Sequence, residues 1–494
     1  MKAVAAAVIL GLAGCTALGQ RGAPPAGDRW EASVTITRDA FGIPTIDAAD
    51  DAGIAYGIAY AMAEDGLPEI DALYAALGDS AAAMAEYRSE SPAMQALWSA
   101  CAAGLNRYVA KHPQEPRAVT HYEPWMVLAA AKRLELAQRE KTSGGGDETL
   151  AWAAAPTVAA GPPVLLVSGR RVNPYEMTLR AADGWRFHGF GVLGLAWPAE
   201  GFGGVTAYAH AAPAVPADTS AASRSIPDGR LAQLYALSRA QDLPSFAAAR
   251  AQRRMTAPTV FIDRTTAALF TAEGAPVPAS SVAMHAGDRA AAAAAVLTTD
   301  RPWTLDDLGL AIFDRRVYGA DADIAALVDE WEQVGALNPD RAASIDDAVQ
   351  VLTAWDRTSR GSAPEMTLYA AYRRTLEIDS SGALPRFRAL EKVVADGTLR
   401  ELRPWEAVNH IVSPPVPGSP TLAIPVAGAP GRFGIMFAYD AQRAGQQYIW
   451  LAAAGTGTGR AVVSHGQSAR AHSRHAFDQA ALFATARLRP VEAR

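Results

Sequence analysis

The chain has almost no cysteine, two in 494 residues. That excludes a disulfide scaffold and a Cys-based zinc site. It has no surplus of positive charge: 45 basic residues stand against 51 acidic ones, net −6. Nucleic acid is therefore not an expected partner, because nothing neutralises a phosphate backbone. The nine histidines show neither HExxH nor HxH spacing, so no metal is expected, and no motif points to a cofactor. Past the N-terminus no uninterrupted apolar run reaches about 18 residues, the length of a spanning helix. There is no internal repeat and no mid-chain linker. What the chain does have is the material of a packed core: half its residues are hydrophobic, 19% are charged and 11 are Trp. Disorder needs the reverse balance.

The first 15 residues, MKAVAAAVILGLAGC, carry Lys2 as their one charge, then an apolar run from Ala3 to Ala13. The run is too short for a permanent span and fits a signal h-region. Leu12-Ala13-Gly14-Cys15 resembles the bacterial lipobox, in which the Cys becomes the lipidated mature N-terminus. The expectation is a signal peptide over 1–15, lipid on Cys15, a Gly- and Pro-rich tether over 16–30, and an exported, membrane-anchored protein facing the periplasm or the cell exterior.

Residues 31–37 alternate with the strand period, and the pattern turns helical from Asp50 to Met62, over 71–112 and over 122–141. The stretch TSGGGDE at 142–148 ends the helical signal. Strand-like runs follow at 149–155, 163–168, 185–197 and 204–210, with a hairpin over 258–272. Residues 303–375 read as helices. Strands return at 433–438, 447–454 and 460–465, and a last helix is expected over 475–486. This order predicts an α+β layered fold.

Several segments are similar to one family. Ile36-Thr37-Arg38-Asp39-Ala40-Phe41-Gly42-Ile43-Pro44 resembles I-x-R-D-x-x-G-x-P, and Tyr56-Gly57 with Ala61-Met62-Ala63-Glu64-Asp65 resembles G-Y-x-x-A-x-D-R. Ala103 to Tyr108 is similar to A-G-x-N-x-Y, Pro302 to Leu308 to P-W-T-x-x-x-L, and Ala354-Trp355-Asp356 to A-W-D. His465-Gly466-Gln467-Ser468 and Ser473 to Gln479 resemble Y-G-Q-S and S-P-H-Y-x-D-Q. Together, in order and along almost the whole chain, they resemble the penicillin acylase family, which includes acyl-homoserine-lactone acylases. The resemblance implies a four-layer αββα N-terminal-nucleophile hydrolase fold, made as a precursor and self-cleaved. Residues 31–141 then correspond to a helical α-chain-like part, 142–148 to a Gly-rich spacer and 149–494 to a β-chain-like part. It also implies residues 31–37 and 433–465 within two stacked sheets.

In that family a Ser at the new N-terminus attacks the substrate, its own α-amine acts as base, and a backbone N–H and an Asn stabilise the oxyanion. The signature G-S-N-x-W matches Glu148-Thr149-Leu150-Ala151-Trp152. Thr149 thus stands at the nucleophile position and Trp152 beside it as a substrate contact, expected on a strand near a sheet edge. Thr is a sound nucleophile, but Glu148 replaces the Gly that lets the backbone bend for cleavage. Ser143 is a weaker candidate. Val167-Ser168-Gly169-Arg170-Arg171 lacks the family's P-H, and Gly201-Phe202-Gly203 replaces G-F-N. The loop Gly194-Leu195-Ala196-Trp197 offers the Trp197 N–H as oxyanion donor. Residues 273–301, where the Asn is expected, contain no Asn.

His465 and His475 read as packed core residues, Asp356 with Arg357 and Arg360 as an ion-pair cluster, and Asp306-Asp307 and Asp346-Asp347 as helix-start carboxylates. Two functions remain open. One is an exported lipoprotein that hydrolyses acyl amide bonds of a small acylated molecule. The other is an inactive relative that binds an acyl ligand or serves a structural role, which the missing motifs favour. In the second case the chain stays uncut.

Overall fold

The computed structural model describes residues 26–77, 81–142, 149–156, 158–159, 161–210, 227–252, 257–271, 275–285, 297, 302–429, 439 and 446–493. Cys15, Ser143 and the rest of 143–148, and the expected strand 433–438 lie outside the described residues.

Two sheets carry the molecule. The first has nine strands in the order β1 (Val34–Arg38), β2 (Pro44–Ala48), β5 (Pro174–Ala181), β6 (Arg186–Val192), β7 (Glu200–Gly203), β8 (Ala207–His210), β9 (Thr259–Ile262), β10 (Ala267–Phe270) and β11 (Pro276–Ala279). The second runs β12 (Ser281–His285), β3 (Leu150–Ala154), β4 (Val164–Arg171), β15 (Gln446–Ala453), β16 (Thr458–Val463) and β17 (Arg489–Glu492). Neighbours pair antiparallel except β2 with β5. The chain crosses from one sheet to the other at Ser280, between β11 and β12. A separate hairpin joins β13 (His410–Val412) to β14 (Ala423–Pro425).

Strand alternation sorts the side chains into layers. Ala151, Ala153, Val167, Phe190, Phe202, Val260 and Trp450 meet between the sheets. On the far side of the first sheet, Tyr175, Met177 and Phe187 pack under α2 (Asp51–Ala75), α4 (Pro92–Lys111) and α5 (Pro124–Thr142), and the short α1 (Ala26–Glu31) and α3 (Ala81–Ser89) complete the N-terminal helices. On the far side of the second, Leu150, Trp152, Leu166 and Ile449 pack under the helices Leu305–Ala311 and Ala480–Ala484. This is the four-layer αββα order expected from the sequence. Helices from Ala320 to Ala395 gather around a further core that includes Leu327, Trp355, Tyr369 and Phe387.

α2 shows how distant segments fix one another. It starts at Asp50, whose carboxylate accepts from the Gly53 N–H at 2.7 Å. It kinks at Gly66 because Pro68 has no N–H to give. The carbonyls near the kink are taken up from the other end of the chain. Arg470 donates to the oxygens of Glu64 (2.6 Å) and Ala63 (3.0 Å), and the Ser468 hydroxyl and Ala469 N–H donate to Asp65 O, both at 3.0 Å. No helix among the described residues is long and apolar enough to cross a membrane.

Candidate functional site

The terminal motifs converge on one buried cluster. Arg38 donates to Asp65 (2.7 Å), Glu64 (2.9 Å) and the Gly42 carbonyl (2.6 Å), and Tyr175 donates to Asp65 at 2.6 Å. Burial raises the Asp65 carboxyl against the pull of Arg38. Gly42 has φ +77°, and a Cβ there would fall 2.7 Å from the His475 ring. His475 in turn bonds Asp478 at 2.6 Å. Gln467 clamps the Glu176 backbone, accepting from its N–H at 3.3 Å and donating to its oxygen at 2.7 Å. His465 bonds the Ser464 hydroxyl at 2.9 Å, and burial pushes its imidazole down to about 4. Both histidines thus sit in packing, while the other flagged groups form ion pairs and helix starts nearer the surface. Asp356 closes a turn on Thr358 and pairs with Arg360, while Arg357 reaches Asp321 at 2.9 Å. Asp307 and Thr304 cap a helix reciprocally. Asp306 lies in the same first turn and takes up Arg460 at 3.2 Å, and Asp346 and Asp347 open another helix.

Thr149 is buried immediately before β3. Leu150 pairs with Ser168, so one further step of register sets Thr149 opposite Gly169, on the face of Ala151 and Ala153 that looks between the sheets. Gly169 in turn pairs with Tyr448, whose hydroxyl lies 2.8 Å from where a Gly169 Cβ would be. Arg171, two residues along on the same face, donates to the Tyr448 hydroxyl at 3.1 Å and pairs with Glu200 at 2.9 Å. Glu200 has no accessible surface and also accepts from the His210 N–H (3.3 Å) and the Trp450 indole (3.4 Å). Burial raises the Tyr448 phenol. An ion pair and a tyrosine therefore occupy the inter-sheet space beside Thr149.

The side chains of Trp152 and Trp197 face other layers. Trp152 faces the opposite side of its sheet, its ring 6.1 Å from Trp303, so it does not share a face with Thr149. The Trp197 indole is fully buried in the helix layer of the first sheet, donating to the Ser238 hydroxyl at 2.9 Å. The first sheet separates that indole from the face carrying Thr149.

A second polar chain between the sheets was not anticipated. Thr178 bonds His188 Nδ1 at 2.9 Å, His188 Nε2 bonds Glu176 at 2.8 Å, and Arg489 closes on the other Glu176 oxygen. Burial pushes the Glu176 carboxyl up, but Arg489 and His188 outweigh it and hold it low. A hydroxyl, an imidazole and a carboxylate in line suggest a nucleophile relay. Here all three are buried and the carboxylate is neutralised by a guanidinium, which makes the chain a clasp. The alternation of Glu176 with Thr178 in PYEMTLRA was the one sequence signal for it. Among the described residues no group of acids, histidines or cysteines is placed to hold a metal ion.

A family model, Penicillin amidase, matches residues 33–73 and 268–494, over half the chain. No curated protein sequence matches. Among solved structures the chain is similar to a thermostable penicillin G acylase from Alcaligenes faecalis in an orthorhombic crystal form. The two are 9% identical over 70% of this chain and 96% of that one, with a TM-score of 0.42. The family model's two matched stretches contain the Arg38–Asp65 cluster and the C-terminal segments that hold it, and on that match the chain belongs to the penicillin amidase family.

Proposed function

We propose that this chain is an exported lipoprotein, held on a membrane by lipid on Cys15, that keeps the penicillin amidase scaffold without hydrolysing amides. It serves there as a non-catalytic acyl-ligand-binding or structural protein. The supporting observation is the filled space beside Thr149. Acyl transfer needs room for a carbonyl about 3 Å from the nucleophile and preorganised donors at its oxyanion. Gly169, opposite Thr149, is covered by the Tyr448 hydroxyl, which bonds Arg171, itself paired with Glu200. Losing one oxyanion donor alone costs on the order of 10²–10³ in rate. The amidase reading keeps one favourable observation, the burial of Thr149 at a strand start with its face toward the inter-sheet space.

Intact-mass measurement of the exported protein tests the proposal. One uncut chain beginning at Cys15, unchanged by Thr149→Ala, is the expected result. Two fragments meeting at Glu148 and Thr149, lost in Thr149→Ala, restore the amidase. The anchor is checked separately: Cys15→Ala should move the protein from the membrane fraction or block signal cleavage, and identical fractionation removes the lipoprotein claim.

A further inference from the structure

At the end of the sandwich opposite Thr149 a cavity of about 620 Å³ opens among chain turns. It lies between the β5–β6 turn (Asp183, Gly184, Trp185), the β7–β8 turn (Gly204 to Thr206) and the β15–β16 turn (Gly455 to Gly457), with Arg239 on one wall. Thr149, Gly169 and Tyr448 mark one end of the second sheet, whereas Ala453 and Thr458, which flank the groove turn, mark the other.

The polar groups of this groove divide into two kinds. Most are already used. Arg239 stacks on Trp185 at 4.6 Å and pairs with Asp51 at 2.9 Å and with Asp183 at 2.8 Å. The Trp185 N–H and Arg239 together hold the Asp183 carboxyl low, so it stays charged and paired. The hydroxyls of Ser238, Thr206 and Thr456 donate to backbone oxygens at 2.8–3.1 Å. Two guanidiniums are of the other kind. Arg186 lines the groove, and the stem of Arg264 lies across Gly455, with Cγ 3.0 Å from the Cβ that a larger residue would place there. Both are exposed, and neither has an ion-pair partner among the described residues. Among the described residues the charge left unpaired at the groove is therefore positive, carried by Arg186 on its wall and by Arg264 over Gly455. At Gly184 and Gly204 nothing lies within 4 Å of an added Cβ, so both turns leave their backbone open to a ligand.

We infer that this groove binds a small organic oxyanion, a carboxylate or phosphate group taken by Arg186 and Arg264. A guanidinium fork matches the paired oxygens of either group. The site is independent of Thr149 and stands whether or not that residue reacts.

Calorimetric titration of the full-length protein tests it, with acetate, inorganic phosphate and glycerol phosphate as probes at millimolar concentration. At least one should bind, more weakly as salt rises. Acetate alone would name a carboxylate ligand, and the phosphates alone a phosphate ligand. The double variant Arg186→Gln/Arg264→Gln should weaken binding about tenfold or more, while Arg400→Gln, an exposed arginine on the helical subdomain, should leave it unchanged. Both sites are exposed, so the double variant should keep the wild-type melting temperature. Binding of none of the three, or equal binding by the double variant, overturns the inference.

Discussion

At His465 the chemistry of a single side chain becomes a stability statement. The ring is largely buried against Phe477, and burial pushes its imidazole from 6.5 down to about 4. Below about pH 6.5 the unfolded chain takes up a proton that the folded chain refuses. The stabilisation is therefore complete above that value and is lost as the pH falls toward 4, by an amount on the order of 3 kcal/mol. Urea unfolding at about pH 7 and about pH 4.5 checks this. Wild type should lose more stability on acidification than His465→Gln, and parallel pH profiles would refute the assignment. This histidine was legible as a core residue because it sits in a motif flanked by small and apolar positions. Arg171 and Glu200 were not legible. They lie 29 residues apart, and nothing local distinguishes a buried, paired Glu from a solvated one.

On the element scale, the crossing of α4 over α2 turns on Gly104. A Cβ there would sit 2.3 Å from the Tyr56 carbonyl oxygen, on the rigid backbone of α2. Asn106, two residues on, exchanges two hydrogen bonds with the Tyr122 backbone at 2.8 and 2.9 Å. The A-G-x-N-x-Y segment is thus a helix-crossing device. Gly104→Ala should cost about 1–3 kcal/mol by forcing the helices apart. Gly335→Ala, where the nearest atom is the Ala342 Cβ at 3.6 Å, should be neutral or stabilising by up to about 1 kcal/mol. Denaturant midpoints of the two variants decide it, and equal costs would mean the crossing is not constrained there. Elements with a continuous apolar signal were readable: α5, β3, β4, β15 and the β9–β10 hairpin fall within a few residues of expectation. Others carry no such signal. β7 is Glu-Gly-Phe-Gly and β17 is Arg-Pro-Val-Glu, strands that only their neighbours could impose. The expected helix over 71–112 is broken, and α4 begins after Ser91 with Pro92 at its first position. The last helix shrinks to Ala480–Ala484, because His475 and Asp478 bond each other within a separate turn and His475 packs on Gly42.

For the molecule as a whole, what holds the two sheets in register is a charge carried by the last strand. Arg489 on β17 reaches across the sandwich to Glu176 on β5, and both are almost fully buried. The nonpolar layer between the sheets supplies the bulk of the attraction, since it includes Phe190, Phe202 and Trp450. The ion pair adds little net energy of its own, but breaking it leaves a carboxylate stranded in that layer, at a cost of about 3–5 kcal/mol. Arg489→Met should show this loss near neutral pH. The sign of its pH dependence is the sharper test. In the wild type, Arg489 and His188 hold Glu176 below its ordinary range, so the contribution is present at neutral pH and lost in acid. Without Arg489, burial raises the carboxyl, and a proton taken up by Glu176 cancels the stranded charge. Relative to the wild type, the variant should then gain stability as the pH falls. Adding Glu176→Gln to Arg489→Met should abolish that gain. If the single variant instead follows the wild-type profile with a constant offset, Arg489 contributes only its packing and the clasp is not electrostatic.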